Sequence, residues 1–234
     1  MPDLNNPLVQ FVRRNCRARG FDIVRYRPLN ALLAHHGINV VLDGGANIGQ
    51  YATELRRQGF HGRIVSFEPQ PAIFQTLQKT ASADGNWSAV NIGLGDETAD
   101  LMINICEVTD NTSLLLPLAD PRSRVVGQQK VPVRRLDHIW KDHCRANDKV
   151  FLKLDVQGYE KKILMGAEGC LDQIIGIQLE MFIVPMYKDQ PDWREMLEFM
   201  QRNGFALWKV EPGARDPETG RESEMDGIFF RTGR

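Results

Sequence analysis

The sequence holds no apolar run of the roughly 20 residues that a helix needs to cross a bilayer, which argues against a membrane span. Its four cysteines, Cys16, Cys106, Cys144 and Cys170, are widely scattered. They form no C-x-x-C pair and have no histidines at zinc spacing, so neither a zinc site nor a disulfide framework is expected. Charge is nearly balanced, 29 Lys+Arg against 30 Asp+Glu for a formal net charge of −1. No global field draws such a chain onto nucleic acid or an anionic membrane. The opening residues, Met-Pro-Asp-Leu-Asn-Asn-Pro, lack the cationic start and apolar stretch of a secretory signal, and no repeat or low-complexity tract is present. A cytoplasmic protein with reduced cysteines is the expectation. What the chain does have is ordinary globular material: 234 residues, 42% hydrophobic and 25% charged, enough for one substantial core.

One stretch stands out, Val40-Val41-Leu42-Asp43-Gly44-Gly45-Ala46-Asn47-Ile48-Gly49-Gln50-Tyr51. It reads as a buried strand ending in an acid and turning through glycines into a helix, the local design of a nucleotide-bearing cofactor loop. The dinucleotide fingerprint places a pyrophosphate against bare amides, where the carboxylate of Asp43 would repel it. Asp43 suits a cationic ligand instead, and S-adenosylmethionine carries both an ammonium and a sulfonium. A second strand, Arg63 to Phe67, ends in Glu68-Pro69, at about the interval where Rossmann-like folds present an acid to ribose hydroxyls.

Around this stretch the pattern alternates. Helical spacing runs from Pro7 to Arg19, an extended piece is expected at 23–26, and a short helix begins near Leu29 and stops near Gly37. Strands at 40–43, 63–67 and 88–92 with helices at 48–58 and 70–83 imply parallel pairing with right-handed crossovers. Residues 100–105 and 130–133 read as extra strands flanking a long polar loop, of the length that is functional or disordered. A strand at 150–155 ends in Asp155 and is followed by a helix carrying Ile163, Leu164 and Ala167. Strand 174–180 ends in Glu180, helix 193–203 follows, and strands 205–210 and 227–231, joined without a helix, are expected to pair antiparallel. The fold class is α/β: a Rossmann-like, seven-stranded, mostly parallel sheet with a terminal antiparallel hairpin and helices on both faces.

That order of elements resembles class I S-adenosylmethionine-dependent methyltransferases. Together with Asp43 to Gly49, Phe67-Glu68-Pro69, Asn111-Thr112-Ser113, Leu136-Asp137, Leu152 to Glu160 and Asp226-Gly227-Ile228-Phe229-Phe230, it is similar to the FkbM-type family. The resemblance covers residues 38–231. It implies a methyltransferase domain at 38–234 behind an N-terminal helical extension at 1–37, S-adenosyl-L-methionine as cofactor, and O-methylation of a sugar, glycolipid or secondary metabolite. It implies that Asp43, Gly45 and Asn47 surround the methionine end of the cofactor, that Glu68 binds ribose and Asn91 borders adenine, with Gly49 and Pro69 in the same cofactor loops. Two positions depart from the pattern. Gln157 stands where an acid is common in the Asp-Val-Glu-Gly motif, and His138 stands where another acid often follows Asp137.

Methyl transfer from a sulfonium needs alignment of the nucleophile, exclusion of water, and a base for the hydroxyl proton. Asp155, Glu180 and Glu160 are the candidate acceptor-side carboxylates, because ligands of open α/β sheets bind at the carboxyl ends of strands. Each also has a purely structural reading, Asp155 as a helix cap, Glu160 as a first-turn acid and Glu180 as a paired strand-end charge. Asn111, Thr112 and Ser113 offer polar groups that could read an acceptor or simply form a turn. No obligatory metal is expected. Acceptor recognition is assigned to the N-terminal helix, the loop 104–129 and the hairpin 211–224; Met186, Tyr187, Trp193 and Trp208 could form an apolar wall, although core packing is the favoured role for most of them. The alternatives are an RNA methyltransferase, disfavoured by charge and by the missing Asn/Asp-Pro-Pro-aromatic motif, and an NAD-dependent oxidoreductase, disfavoured by Asp43. The expected partner is a small molecule or glycan, with no nucleic acid and a possible homodimer.

Overall fold

A computed structural model describes residues 6–21, 28–118 and 123–233. The extended piece expected at 23–26 lies outside the described residues. Helix α1 (Pro7–Arg17) starts where the Asn6 side chain accepts the Leu8 N–H and proline occupies the first turn, and it buries none of its residues. The second helix, α2 (Leu29–His35), buries Leu29 and Leu33.

The regular alternation then begins with β1 (Val40–Gly44), α3 (Gln50–Arg57), β2 (Arg63–Phe67), α4 (Pro71–Ser82) and β3 (Trp87–Val90). It resumes with β7 (Val150–Leu154), α6 (Glu160–Met165), β8 (Ile174–Phe182), α7 (Trp193–Arg202), β9 (Phe205–Pro212) and β10 (Glu224–Arg231). These strands form one seven-stranded sheet in the order β3-β2-β1-β7-β8-β10-β9. β3, β2, β1, β7 and β8 run parallel, and β10 is antiparallel to both β8 and β9. β1 is central, with Val41 opposite Ile64 on one side and Phe151 on the other.

Both faces of the sheet are buried, which explains why its strands read as apolar runs. Val40, Leu42, Leu152 and Leu154 face one core with Leu136, Trp140, Ile163, Met196 and Met200. Val41, Ile64 and Phe151 face the other, packed on Leu33, Ala52, Leu55 and Leu77. The period-2 alternation of the strands thus feeds two helix layers.

The region between β3 and β7 departs from expectation. The strands expected at 100–105 and 130–133 lie within the longer β5 (Ala99–Cys106) and β6 (Val125–Arg135), and with β4 (Gly93–Gly95), which was not expected, they build a separate three-stranded sheet in the order β4-β6-β5. β6 then runs directly into α5 (Leu136–His143), which the pattern did not reveal. The outer half of the β5–β6 ribbon is solvated, and only Ile103, Val131 and Val133 form its small core, so most of it shows no apolar alternation.

Candidate active site at the carboxyl edge of the sheet

The chain leaves β1 toward β2 on one side while β7 pairs on the other, so the crevice at the carboxyl ends of β1 and β7 is the switch point of the sheet. A cavity of about 380 Å³ opens there, lined by the loops after β1, β2 and β7, the C-terminal half of β8, the start of β10, and the segment 109–114. This lies within the size range of small-molecule sites. Antiparallel β10 enters the sheet at this edge, which is why Glu224 and Asp226 join the strand-end acids.

The loop after β1 is shaped by close backbone approach. Gly45 has φ +73, and a Cβ there would lie 2.0 Å from the Asp155 carbonyl oxygen, so the ends of β1 and β7 can meet only around glycine. Gly49 has φ +95 and faces the Trp87 ring, where a Cβ would come within 2.8 Å. It sits in the loop between β1 and α3 as a packing position and does not itself line the cavity. Asn47 does line it, in the left-handed conformation (φ 47) that asparagine tolerates.

Asp43 is not at the mouth. Its side chain is fully buried beneath the loop, where Oδ2 accepts from Ser66 Oγ (2.9 Å), itself bonded by Trp87 Nε1 (3.0 Å). The other oxygen, Oδ1, lies 3.2 Å from the Lys153 ammonium. A carboxylate at the end of a fully buried strand needs such partners, and β7 supplies the cation. Lys153 itself lines the cavity, donates to the Gly45 carbonyl (3.3 Å) and reaches Asp155 Oδ2 at 3.6 Å. Burial alone would lower its pKa; the charges of Asp43 and Asp155 outweigh that and hold the ammonium above its ordinary value. The lysine inside the apolar run Val150-Phe151-Leu152-Lys153-Leu154 was the available sequence signal, since a cation on a buried strand requires a carboxylate partner.

Glu68 and Pro69 line the cavity. Glu68 is almost wholly buried; Oε2 accepts the Asn47 N–H (3.0 Å) and Oε1 the Gln70 N–H (2.9 Å). Burial raises its pKa to about 7 despite those two bonds. Each oxygen keeps a lone pair for a further donor. Asn91 stands behind this acid, its Nδ2 donating to the carbonyls of Glu68 (2.8 Å) and Pro69 (3.1 Å). It shapes the turn after β2 and is not among the residues lining the cavity.

On the opposite wall stand Asp155, Glu180, Asp226 and Glu224. The Asp155 side chain keeps 47% of its exposure, whereas Glu180 is buried. Burial raises the Glu180 pKa well above the carboxylate range, and Asp155, Glu160, Glu224 and Asp226 push it in the same direction. Asp226 is raised to about 6, by burial first and then by Asp155, with Lys153 and a hydrogen bond from Gln178 opposing. Gln178 in turn accepts from the Tyr51 hydroxyl (3.1 Å).

Glu160 does not line the cavity, contrary to its candidacy as a base. Its Oε1 accepts the N–H groups of Val156 (3.0 Å) and Gly158 (3.3 Å), which fixes the turn between β7 and α6. The Asn111-Thr112-Ser113 segment does line it, but its hydroxyls are engaged in shaping the loop. Thr112 Oγ1 accepts the Cys106 N–H (3.1 Å), and Ser113 Oγ donates to the Gln157 carbonyl (2.7 Å) and accepts from Leu115 (3.0 Å). The segment is a strap, also tied by Asn47 Nδ2 to Asp110 Oδ1 (2.6 Å).

Core packing, the role favoured for most of these apolar side chains, is what three of the four show. Met186 and Tyr187 are buried against Phe182, Trp193 packs on the main core, and Trp208 lies near His36 and Phe230 on a different surface. His138 is mostly exposed and bonded to Thr98 (3.2 Å). Among the described residues no helix is long and apolar enough to cross a membrane, and no three His, Cys, Asp or Glu side chains are grouped to hold a metal ion.

Comparison with known proteins agrees with this layout. Residues 43–207 match the family model of the methyltransferase FkbM domain. "Methyltransferase 1" of Beauveria bassiana is 25% identical over 195 residues, covering 76% of each chain. "Methyltransferase sdnD" of Sordaria araneosa is 23% identical over 155 residues, covering 55% of this chain and 60% of that protein. Among solved structures, magnesium protoporphyrin IX methyltransferase from Synechocystis with bound SAM is alike in fold. It aligns with a TM-score of 0.50 and 10% identity, covering 99% of this chain and 86% of the other.

Proposed function

The chain belongs to the FkbM methyltransferase family, and from that premise we propose that it is an O-methyltransferase acting on a hydroxyl of a sugar, glycolipid or secondary metabolite. The family uses S-adenosylmethionine, which when bound supplies a methyl group on an electrophilic sulfonium. The donor set fits such a cofactor. Glu68 is a buried acid with both oxygens pre-oriented by backbone N–H groups and with spare lone pairs for ribose hydroxyls. Gly45 and Asn47 border the same half of the cavity and are the residues proposed for the methionine end. Asp43 contributes from behind the wall, through Lys153, and not by contact.

The observation that carries the hydroxyl reading is Asp155. It is a half-exposed carboxylate at the switch point, with the Lys153 ammonium 3.6 Å from its Oδ2, and it shares the cavity with Glu68. As the acceptor oxygen attacks, Asp155 takes the hydroxyl proton, and the neighbouring polar side chains orient the acceptor. A small-molecule or glycan acceptor suits a cavity of this size.

The test is methyl transfer from methyl-labelled S-adenosylmethionine to a panel of polyols, glycans and phenolic metabolites, with the product identified as an ether. Asp155→Asn is expected to lower kcat about 10²–10⁴-fold while leaving the affinity for S-adenosylhomocysteine unchanged. Methyl groups recovered on nitrogen, or full turnover without the Asp155 carboxylate, would overturn this reading.

A further inference from the structure

Gln157 follows β7 in a left-handed backbone conformation (φ 57), which costs a residue with a Cβ about 1–2 kcal/mol. Its side chain is held at both ends. The Tyr187 hydroxyl donates to Gln157 Oε1 at 2.7 Å, and Gln157 Nε2 donates to Glu180 Oε2 at 2.9 Å and to Asp155 Oδ1 at 3.2 Å. The reverse amide orientation would aim a carbonyl oxygen at two carboxyl groups, so the electrostatics of the wall select the observed one. Tyr187 is itself immobilised, its ring 1% exposed and packed edge-on against Phe182, and its hydroxyl also lies 3.0 Å from the Asn111 carbonyl.

We propose that Gln157 is a positioning residue of the methyl-transfer site: clamped by Tyr187, its amide bridges Asp155 and Glu180 and divides their roles, leaving Asp155 as the proton acceptor and Glu180 as the acceptor's hydrogen-bond partner. The inference rests on the O-methyl-transfer reading above. Asp155 is half-exposed with Lys153 at its other oxygen; Glu180 is buried and faces Asp155 just past the end of β7, Glu160 on α6 and Glu224 and Asp226 on β10, with Tyr187 beyond the end of β8. Burial and the surrounding carboxyl groups make Glu180 hold its proton more tightly than a solvated acid does. An amide between them adds a donor to each without adding charge. A glutamate at 157 would place a third carboxylate within hydrogen-bonding range of both and remove the only donor they share among the described residues.

The experiment is a carboxyl-¹³C NMR titration of the full chain saturated with S-adenosylhomocysteine, with the two resonances assigned through Glu180→Gln and Asp155→Asn. In Gln157→Glu the Glu180 midpoint is expected to rise by about one pH unit or more, and in Tyr187→Phe by a smaller amount in the same direction. Affinity for S-adenosylhomocysteine should be retained in both variants, because neither residue belongs to the Glu68 half of the cavity. Should Gln157→Glu fail to fold, Gln157→Asn, too short to bridge, is expected to give the same upward shift. Midpoints within about 0.3 pH unit of the parent protein in the folded variants would overturn the proposal. Because the titration requires no turnover, it can succeed where the O-methyl reading fails, and a flat titration beside intact ether formation would refute the positioning role alone.

Discussion

The most discriminating perturbation is Glu68→Gln, because it separates what this acid does for the cofactor from what its burial does to the fold. The acid titrates near pH 4.5 when solvated and at about 7 in the folded chain, with burial as the main cause. Between those values the folded state binds a proton that the unfolded state has released. Stability is therefore fully present below pH 4.5, falls as pH rises, and levels off above 7. The size of the fall is about 2.5 pH units at 1.36 kcal/mol each, or about 3 kcal/mol. Glutamine cannot titrate, and it replaces one acceptor oxygen by a donor that faces a backbone N–H. That loss costs about 1–3 kcal/mol at every pH. The two effects separate cleanly in urea unfolding of the cofactor-free protein at pH 4.5 to 8. The variant should be less stable than the parent at the acid end, and the difference should move in its favour by about 3 kcal/mol by pH 8. Its affinity for S-adenosylhomocysteine should fall at least about tenfold, one charged hydrogen bond contributing about 1.5–3 kcal/mol. A stability difference independent of pH would show that the Glu68 carboxylate is solvated like any surface acid, and would refute the reasoning.

The same acid makes cofactor binding pH-dependent: affinity of the parent protein for S-adenosylhomocysteine should weaken as pH falls through about 7, where protonated Glu68 loses acceptor capacity, and isothermal titration at pH 6 and 8 checks this. Lys153→Met leaves Asp43 charged, buried and without its cation, at a cost of about 3–5 kcal/mol in a denaturation midpoint, much of which Asp43→Asn in the same chain should restore; strictly additive losses would refute the pairing. Gly45→Ala should destabilise the chain and abolish cofactor binding together, because the new methyl meets the Asp155 backbone, whereas Gly49→Ala, which strikes the Trp87 ring, should affect stability more than affinity. Equal binding by both variants would contradict that division.

Much of the architecture is legible in the residue order because the central strands are buried on both faces. Val40 to Leu42 and Val150 to Leu154 are apolar at every position but Lys153, and glycine turns and strand-end acids punctuate them, so strand, helix and cofactor edge can be read together. Strands at 100–105 and 130–133 were legible too, but the outer half of β6, the short β4 and their grouping into a separate sheet were not, because solvent-exposed ribbon carries no alternation to detect.

Strand-end position in the sequence was enough to bring Glu68, Asp155 and Glu180 to one edge, since parallel strands joined by helices end on the same side of the sheet. Which way each acid points was decided only by packing. Asp43 is turned inward to a lysine from a neighbouring strand, and Glu160 is turned onto its own loop amides. Gln157, 30 residues from Tyr187 in sequence and joined to it in space, lies between Asp155 and Glu180. Chain order specifies where a side chain leaves the backbone, but its partner is chosen by desolvation, which makes every buried charge seek whatever counter-charge or donor the tertiary fold brings within reach.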